Sequence, residues 1–161
     1  MKIFFKRMSI KSSWLLTVIM FAIAPAVTAT DYYVSKSGND ANSGLSAVLS
    51  KLTITAAANT ASAGDVIFIS TGYYAETVSV GKSMKFMVDS VQVNELTMNV
   101  TGITLTIDGN ANEKTFNIKT KLTLTDGLVK IGTSLNAFRA LDGCTVGAGT
   151  KTSYVDGYRD D

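Results

Sequence analysis

Residues 66–131 read VIFISTGYYAETVSVGKSMKFMVDSVQVNELTMNVTGITLTIDGNANEKTFNIKTKLTLTDGLVKI. Short runs of β-branched and aromatic residues are separated here by Gly, Asn and Asp. Alternation with period 2 is plain in ITLTI and LTLT, the mark of strands with one face inside. The runs also recur. Ile67, Phe86, Leu105 and Leu124 are each 19 residues apart, and Ile69, Val88 and Ile107 repeat the step. A second series, Val78, Leu96, Phe116 and Leu135, advances by 18, 20 and 19. Two apolar series in step predict one structural unit, repeated along the chain, which is the signature of a solenoid. In a parallel β-helix, inward residues of successive coils stack about 4.8 Å apart, so each apolar position touches its like. Pro is absent after Pro25, which leaves long ladders open.

One competing architecture fits part of the same text. Asp-Gly occurs at 108–109, 126–127, 142–143 and 156–157. Asp-Gly between alternating runs is a strong hairpin signal, and LTLT-DG-LVKI has that form. The alternative to the β-helix is therefore an antiparallel β-sandwich. Upstream, residues 49–63, LSKLTITAAANTASA, predict a helix with Leu52, Ala56 and Ala63 on its apolar side, flanked by Ile54 and Ala57. Gly64-Asp65 stops it.

The start of the chain predicts export. Lys2, Lys6, Arg7 and Lys11 form a basic region, Trp14 to Val27 is uncharged and apolar, and Val27-Thr28-Ala29 offers small residues for cleavage after Ala29. The apolar stretch is shorter than the roughly 20 residues of a membrane span and contains Pro25, so no stable span is expected after cleavage. The expected domains are thus a signal peptide, 1–29, and a β-helix domain, 30–161, with a cap at 30–64 and coils at 65–161. Four of the 15 basic residues leave with the signal, so 11 stand against 13 acids and the mature charge is −2. That gives no basic field for nucleic acid. There is no histidine, which excludes Ser-His-Asp and Cys-His catalysis and His-ligated zinc. Cys144 is the single cysteine, so no intramolecular disulfide framework exists; a lone Cys in a strand reads as a small core hydrophobe.

The segment DYYVSKSGNDANSG, then a small-residue helix, then AGDVIFISTGYYAETV, resembles the N-terminal part of secreted right-handed parallel β-helix proteins of the pectate-lyase-like superfamily. The likeness covers about residues 31–80. It departs where the family usually has a Pro-aromatic-Thr-Ile step and this chain has LSKLTIT. It implies a capping helix followed by a first rung. LTLTDGLVKIG and TSYVDG further resemble repetitive parts of large exported surface proteins. Those are longer, and no capping segment follows Tyr154, so the expectation is a partial chain, its C-terminal end incomplete.

Three carboxylates are the sharpest chemical candidates. Asp89, Asp108 and Asp126 are 19 and 18 residues apart, so a regular coil would stack them along one edge. Close like charges recruit a cation, and Ca²⁺ accepts oxygen ligands of this kind. The resemblance implies a matching use, since β-helical polysaccharide lyases hold Ca²⁺ and acidic substrate groups with Asp. Each Asp also suits a simple turn. Asn39, Asp40 and Asn42 form a second oxygen-rich loop. Tyr73 and Tyr74 are candidate sugar-stacking residues; with Glu76 they also suit packing of the cap helix on the first coil. The function expected is an exported or cell-surface protein with a structural, adhesive or polysaccharide-binding role. The alternative is a lyase-like carbohydrate-active enzyme, for which no base can be assigned. A groove with paired carboxylates favours the enzyme; a smooth face of Thr, Ser and Asn ladders favours the module.

Overall fold

The computed structural model describes residues 28–110, 114–147 and 154–156. The signal-peptide reading falls almost wholly on residues 1–27, outside the described ones. The elements in order are β1 (Asp31–Val34), α1 (Ile54–Thr60), β2 (Val66–Ile69), β3 (Gly72–Val80), β4 (Met84–Val88), β5 (Ser90–Gly109), β6 (Thr115–Ile131), β7 (Ala137–Ala140), β8 (Thr145–Gly147) and β9 (Tyr154–Asp156).

Every pairing between these strands is parallel. The fold is therefore an all-β parallel solenoid of about three turns with one short helix, and the antiparallel alternative is set aside. Bulges divide the ladders into three faces. The first stacks β1, β2, β4, the end of β5, the end of β6 and β9. The second stacks the start of β3 on Ser90–Val93, Thr115–Ile118 and β7. The third stacks Thr77–Val80 on Glu95–Met98, the 121–124 stretch and β8. Long β5 and β6 each run through a corner. Asp126-Gly127 forms such a corner rather than a hairpin: Gly127 has φ +93°, and a Cβ there would come within 3.1 Å of Ile103, Met98 and the Val100 carbonyl.

The apolar series form the interior, with changed register. Ile67 pairs with Phe86 and Val78 with Leu96, as the spacing predicts. Below that the coils lengthen. Phe86 meets Ile107 rather than Leu105, Leu105 lies between Met84 and Val129, and Leu96 meets Leu122 rather than Phe116. Interior apolarity survives because the shift keeps each residue's parity. Leu105, Ile107, Phe116 and Ile118 are fully buried. Phe116 stacks in register on Phe138, with ring centroids 6.0 Å apart.

The helix is shorter than 49–63 predicts, because the residues just before Ile54 are bonded to other segments. Val34 and Lys51 form a parallel bridge, and the Asp40 carboxylate accepts from the Leu52 and Thr53 N–H groups, both at 2.9 Å. Thr53 then caps α1, its hydroxyl accepting from Ala56 N–H. The buried side is Ile54, Ala57 and Ala58, while Leu52 and Ala63 are exposed. Asp65 ends the segment, accepting from Ser62 N–H and Thr30 N–H.

Candidate functional site

The outward residues of the second and third faces form rows across the coils. In register these are Tyr73–Gln92–Asn117–Arg139, Thr77–Glu95–Lys121–Thr145 and Ser79–Thr97–Thr123–Gly147. Hydroxyls tie neighbouring coils together. Thr77 donates to Glu95 at 3.3 Å, Thr120 to the Asn94 carbonyl at 2.9 Å, and Thr145 to the Thr120 carbonyl at 3.3 Å. Ser90 and Thr115 share a bond at 3.1 Å.

Tyr73 and Tyr74 separate here, as adjacent strand residues must. Tyr73 points outward, 41% exposed. Its hydroxyl donates to Asn94 Oδ1. The Lys119 ammonium lies 5.0 Å from its ring centroid and 3.5 Å from its Oη. Tyr73, Asn94 and Lys119 thus make an aromatic, amide and cationic cluster on the outer surface. Tyr74 is inside the coil, 1% exposed, so it offers no ring to a sugar. Its hydroxyl donates to the Ser70 carbonyl. Burial pushes its pKa up to about 12, helped by the charges of Glu76 and Asp89. Glu76 joins the cap helix to the first coil: its two carboxylate oxygens accept from Ile54 and Thr55 N–H at 2.8 and 2.9 Å.

The three aspartates do not form a ladder, because the coils are unequal. Asp108 pairs across with Met87 and Asp126 with Asn99, while Asp89 sits at the corner between β4 and β5. Each carboxylate meets a donor of its own. Asp89 accepts from the Asn110 side chain, and Asp126 from the Thr101 hydroxyl at 2.8 Å. Asp108 pairs with Lys85 at 3.1 Å and accepts from Gly109 and Ser134 N–H. Burial alone raises the Asp108 pKa. The Lys85 hydrogen bond, the two backbone donors and the Lys85 charge outweigh it, so the carboxyl is held below its ordinary value. Among the described residues, no group of three or more Asp, Glu or Cys is placed to hold a metal ion.

The oxygen-rich loop already holds a cation of the chain's own. Lys51 is only 6% exposed, and its ammonium donates to the Asp40 and Asn42 carbonyls at 3.1 and 2.8 Å. The side chains around it are also engaged: Asn39 accepts from Ala41 N–H, and Asn42 donates to the Ser50 carbonyl. Cys144 is free, half-buried and packed against the core. The Lys119–Tyr73 contact had no signal in the sequence, because it joins residues 46 apart across coils of unequal length.

No protein-family model, curated protein or solved structure matches the chain.

Proposed function

We propose that the chain is an exported or cell-surface β-solenoid with a structural or adhesive role, and that its outer faces meet polysaccharide or other surface material. One observation carries this reading: the outer rows are continuous ladders of hydroxyl, amide and isolated charged groups, with the Tyr73–Asn94–Lys119 cluster among them. A half-exposed ring beside an amide and an ammonium offers stacking and hydrogen bonding to a saccharide. The three aspartates serve corners and cross-coil bonds, which favours a scaffold over a lyase-like site. Likeness to the pectate-lyase-like proteins belongs to the same proposal. Its support is the order of opening strand, capping helix and first coil.

Binding is tested by retention of the folded protein on immobilised acidic and neutral polysaccharides. Tyr73→Ala and Lys119→Ala, both at the surface, should weaken retention without lowering the melting temperature. Release of shortened oligosaccharides by the wild type would overturn the reading in favour of an enzyme. Export is tested by N-terminal sequencing, which should begin at Thr30 within two residues; an intact Met1 on a membrane-embedded chain would refute it.

A further inference from the structure

We propose that Asp142-Gly143, at the tip of the turn between β7 and β8, is a site of spontaneous backbone isomerisation to isoaspartate, and that the fold confines this chemistry to that one of its three described Asp-Gly pairs. The other two are Asp108-Gly109 and Asp126-Gly127. In each pair the residue after Asp is glycine, which puts no side chain in the way of the reaction, so the sequence alone gives the three equal standing. Their surroundings differ.

The reaction needs the glycine nitrogen to reach the Asp Cγ. With the carboxyl group neutral, that nitrogen attacks Cγ and the N–Cγ bond forms. The carboxyl hydroxyl leaves with the nitrogen's proton as water. Water then opens the cyclic imide. Opening at Cγ restores aspartate; opening at the backbone carbonyl leaves the chain running through Cγ, a methylene longer. Water is the only co-reactant, and nothing is oxidised or reduced. The step therefore demands room around the glycine, a glycine N–H held by no other group, and a carboxyl group free to turn.

Asp142-Gly143 meets each demand. Both residues are exposed. Cys144 N–H donates to the Leu141 carbonyl at 2.8 Å, and Gly143 has φ +85° while Asp142 does not have a positive φ, so 141–144 is a type II turn. That turn uses neither the Gly143 N–H nor the Asp142 carboxylate, and neither has a partner among the described residues. A Cβ on Gly143 would meet nothing within 4 Å. The flanking strands β7 and β8 pair only with β6 among the described residues, so little holds the turn against bending. The other pairs fail on the same counts. A Cβ on Gly109 would collide with the Ser134 carbonyl and the Lys114 side chain. The Asp108 carboxylate is fixed by Lys85 and Ser134 N–H, and these bonds keep its neutral form scarce. A Cβ on Gly127 would come within 3.1 Å of Ile103, Met98 and the Val100 carbonyl, and the Asp126 carboxylate accepts from Thr101. This inference concerns the lower coil and is independent of the outer-face binding proposed above, so each stands or falls alone.

The test ages the folded protein for weeks at body temperature and mildly acidic pH, then maps its peptides. Isoaspartate is read by labelling with an isoaspartate methyltransferase and by fragmentation that separates the two isomers. The peptide carrying Asp142 should hold severalfold more isoaspartate than those carrying Asp108 and Asp126. In denaturant the three should age at similar rates, because the fold no longer distinguishes them. Asp142→Glu, at an exposed position without a partner, should keep the wild-type melting temperature and remove the dominant signal, since its longer side chain closes a larger and slower-forming ring. Folded protein without isoaspartate at 142, or with as much at 108 or 126, would overturn the proposal. So would a preference for 142 that persists undiminished in denaturant, since local sequence rather than the fold would then set it.

Discussion

Asp108 shows how one side chain joins two coils. Its carboxylate takes Lys85 from the coil above and Ser134 N–H from the coil below. Because its pKa is lowered in the fold, its stabilisation is present above the ordinary carboxylate value and is lost as pH falls through the folded value. Asp108→Asn should therefore lower the melting temperature at neutral pH, and the two proteins should converge in acid. Since the three aspartates have separate partners, millimolar Ca²⁺ should leave the melting temperature flat; a rise that Asp108→Asn removes would restore the metal reading. Gly132 explains how closely Asp108 lies. A Cβ on Gly132 would sit 2.2 Å from Asp108 Cγ, so Gly132→Ala should cost about 1–3 kcal/mol in denaturant unfolding, as overpacking does. Gly81→Ala meets no atom within 4 Å and should be nearly neutral. Tyr74 gives the opposite pH sign at the alkaline end. Its phenol is held neutral to about pH 12, so its stabilisation is complete below its ordinary 10.0 and is lost as pH rises through the folded value. An absorbance titration should show one tyrosine ionising only near pH 12. The sequence marked Asp108 as a turn former, but its partners Lys85 and Ser134 were hidden by their distance along the chain.

At the scale of the elements, alternation set which side of each strand faces in. Leu105 is fully buried, while Thr104 and Thr106 are only partly covered. Leu105→Ala should cost about 2–5 kcal/mol by lost burial and the cavity left between Met84 and Val129. Thr106→Ser should cost far less; equal losses at 105 and 106 would contradict the assigned face. Strand identity and the parallel architecture were legible because inward positions must be apolar at every rung. The fixed step of 19 was legible only at the top, from Ile67 to Phe86. Below, residues 99–103 lengthen one corner, and Gly109 and Thr115 are six positions apart in the chain where their partners Val88 and Ser90 are two apart. A corner lies between the paired stretches of the ladder, so its length is not fixed by the apolar spacing of the rungs. That is why the series slipped by two residues at Leu105, and why the aspartate ladder dissolved. The cap helix was legible in kind, but its start was set by Asp40 and Lys51, whose roles depend on contacts 11 to 13 residues away. Tyr73 was legible as a surface candidate; Tyr74 was not separable from it until the strand's parity was known.

Across the whole molecule, the coils form one continuous interior rather than separable units. Inward rows run from the cap through every coil: Val34 and Ile67 lie near α1, then Phe86, Phe116 and Phe138 follow down the axis. A solenoid of this kind is stabilised by interfaces between neighbouring coils, so a coil flanked on both sides is held more firmly than one at an end. The upper end is closed by α1, pinned by Glu76 at its start and by Lys82, which donates to the Ala61 carbonyl at its end. The middle rung, β5, pairs with β3 and β4 on one side and β6 on the other. Strands β7 and β8 pair only with β6 among the described residues. Native-state amide exchange should therefore be slowest at Val91–Met98 and Leu105–Ile107, and fastest among the strands at Ala137–Ala140 and Thr145–Gly147. Glu76→Gln removes a charge from the pair of bonds on Ile54 and Thr55 N–H. It should speed exchange in α1 and β2 while leaving Leu105–Ile107 slow. Uniform acceleration along the whole chain would mean instead that the coils open as a single cooperative block, and that the cap governs the entire stack rather than the end it covers.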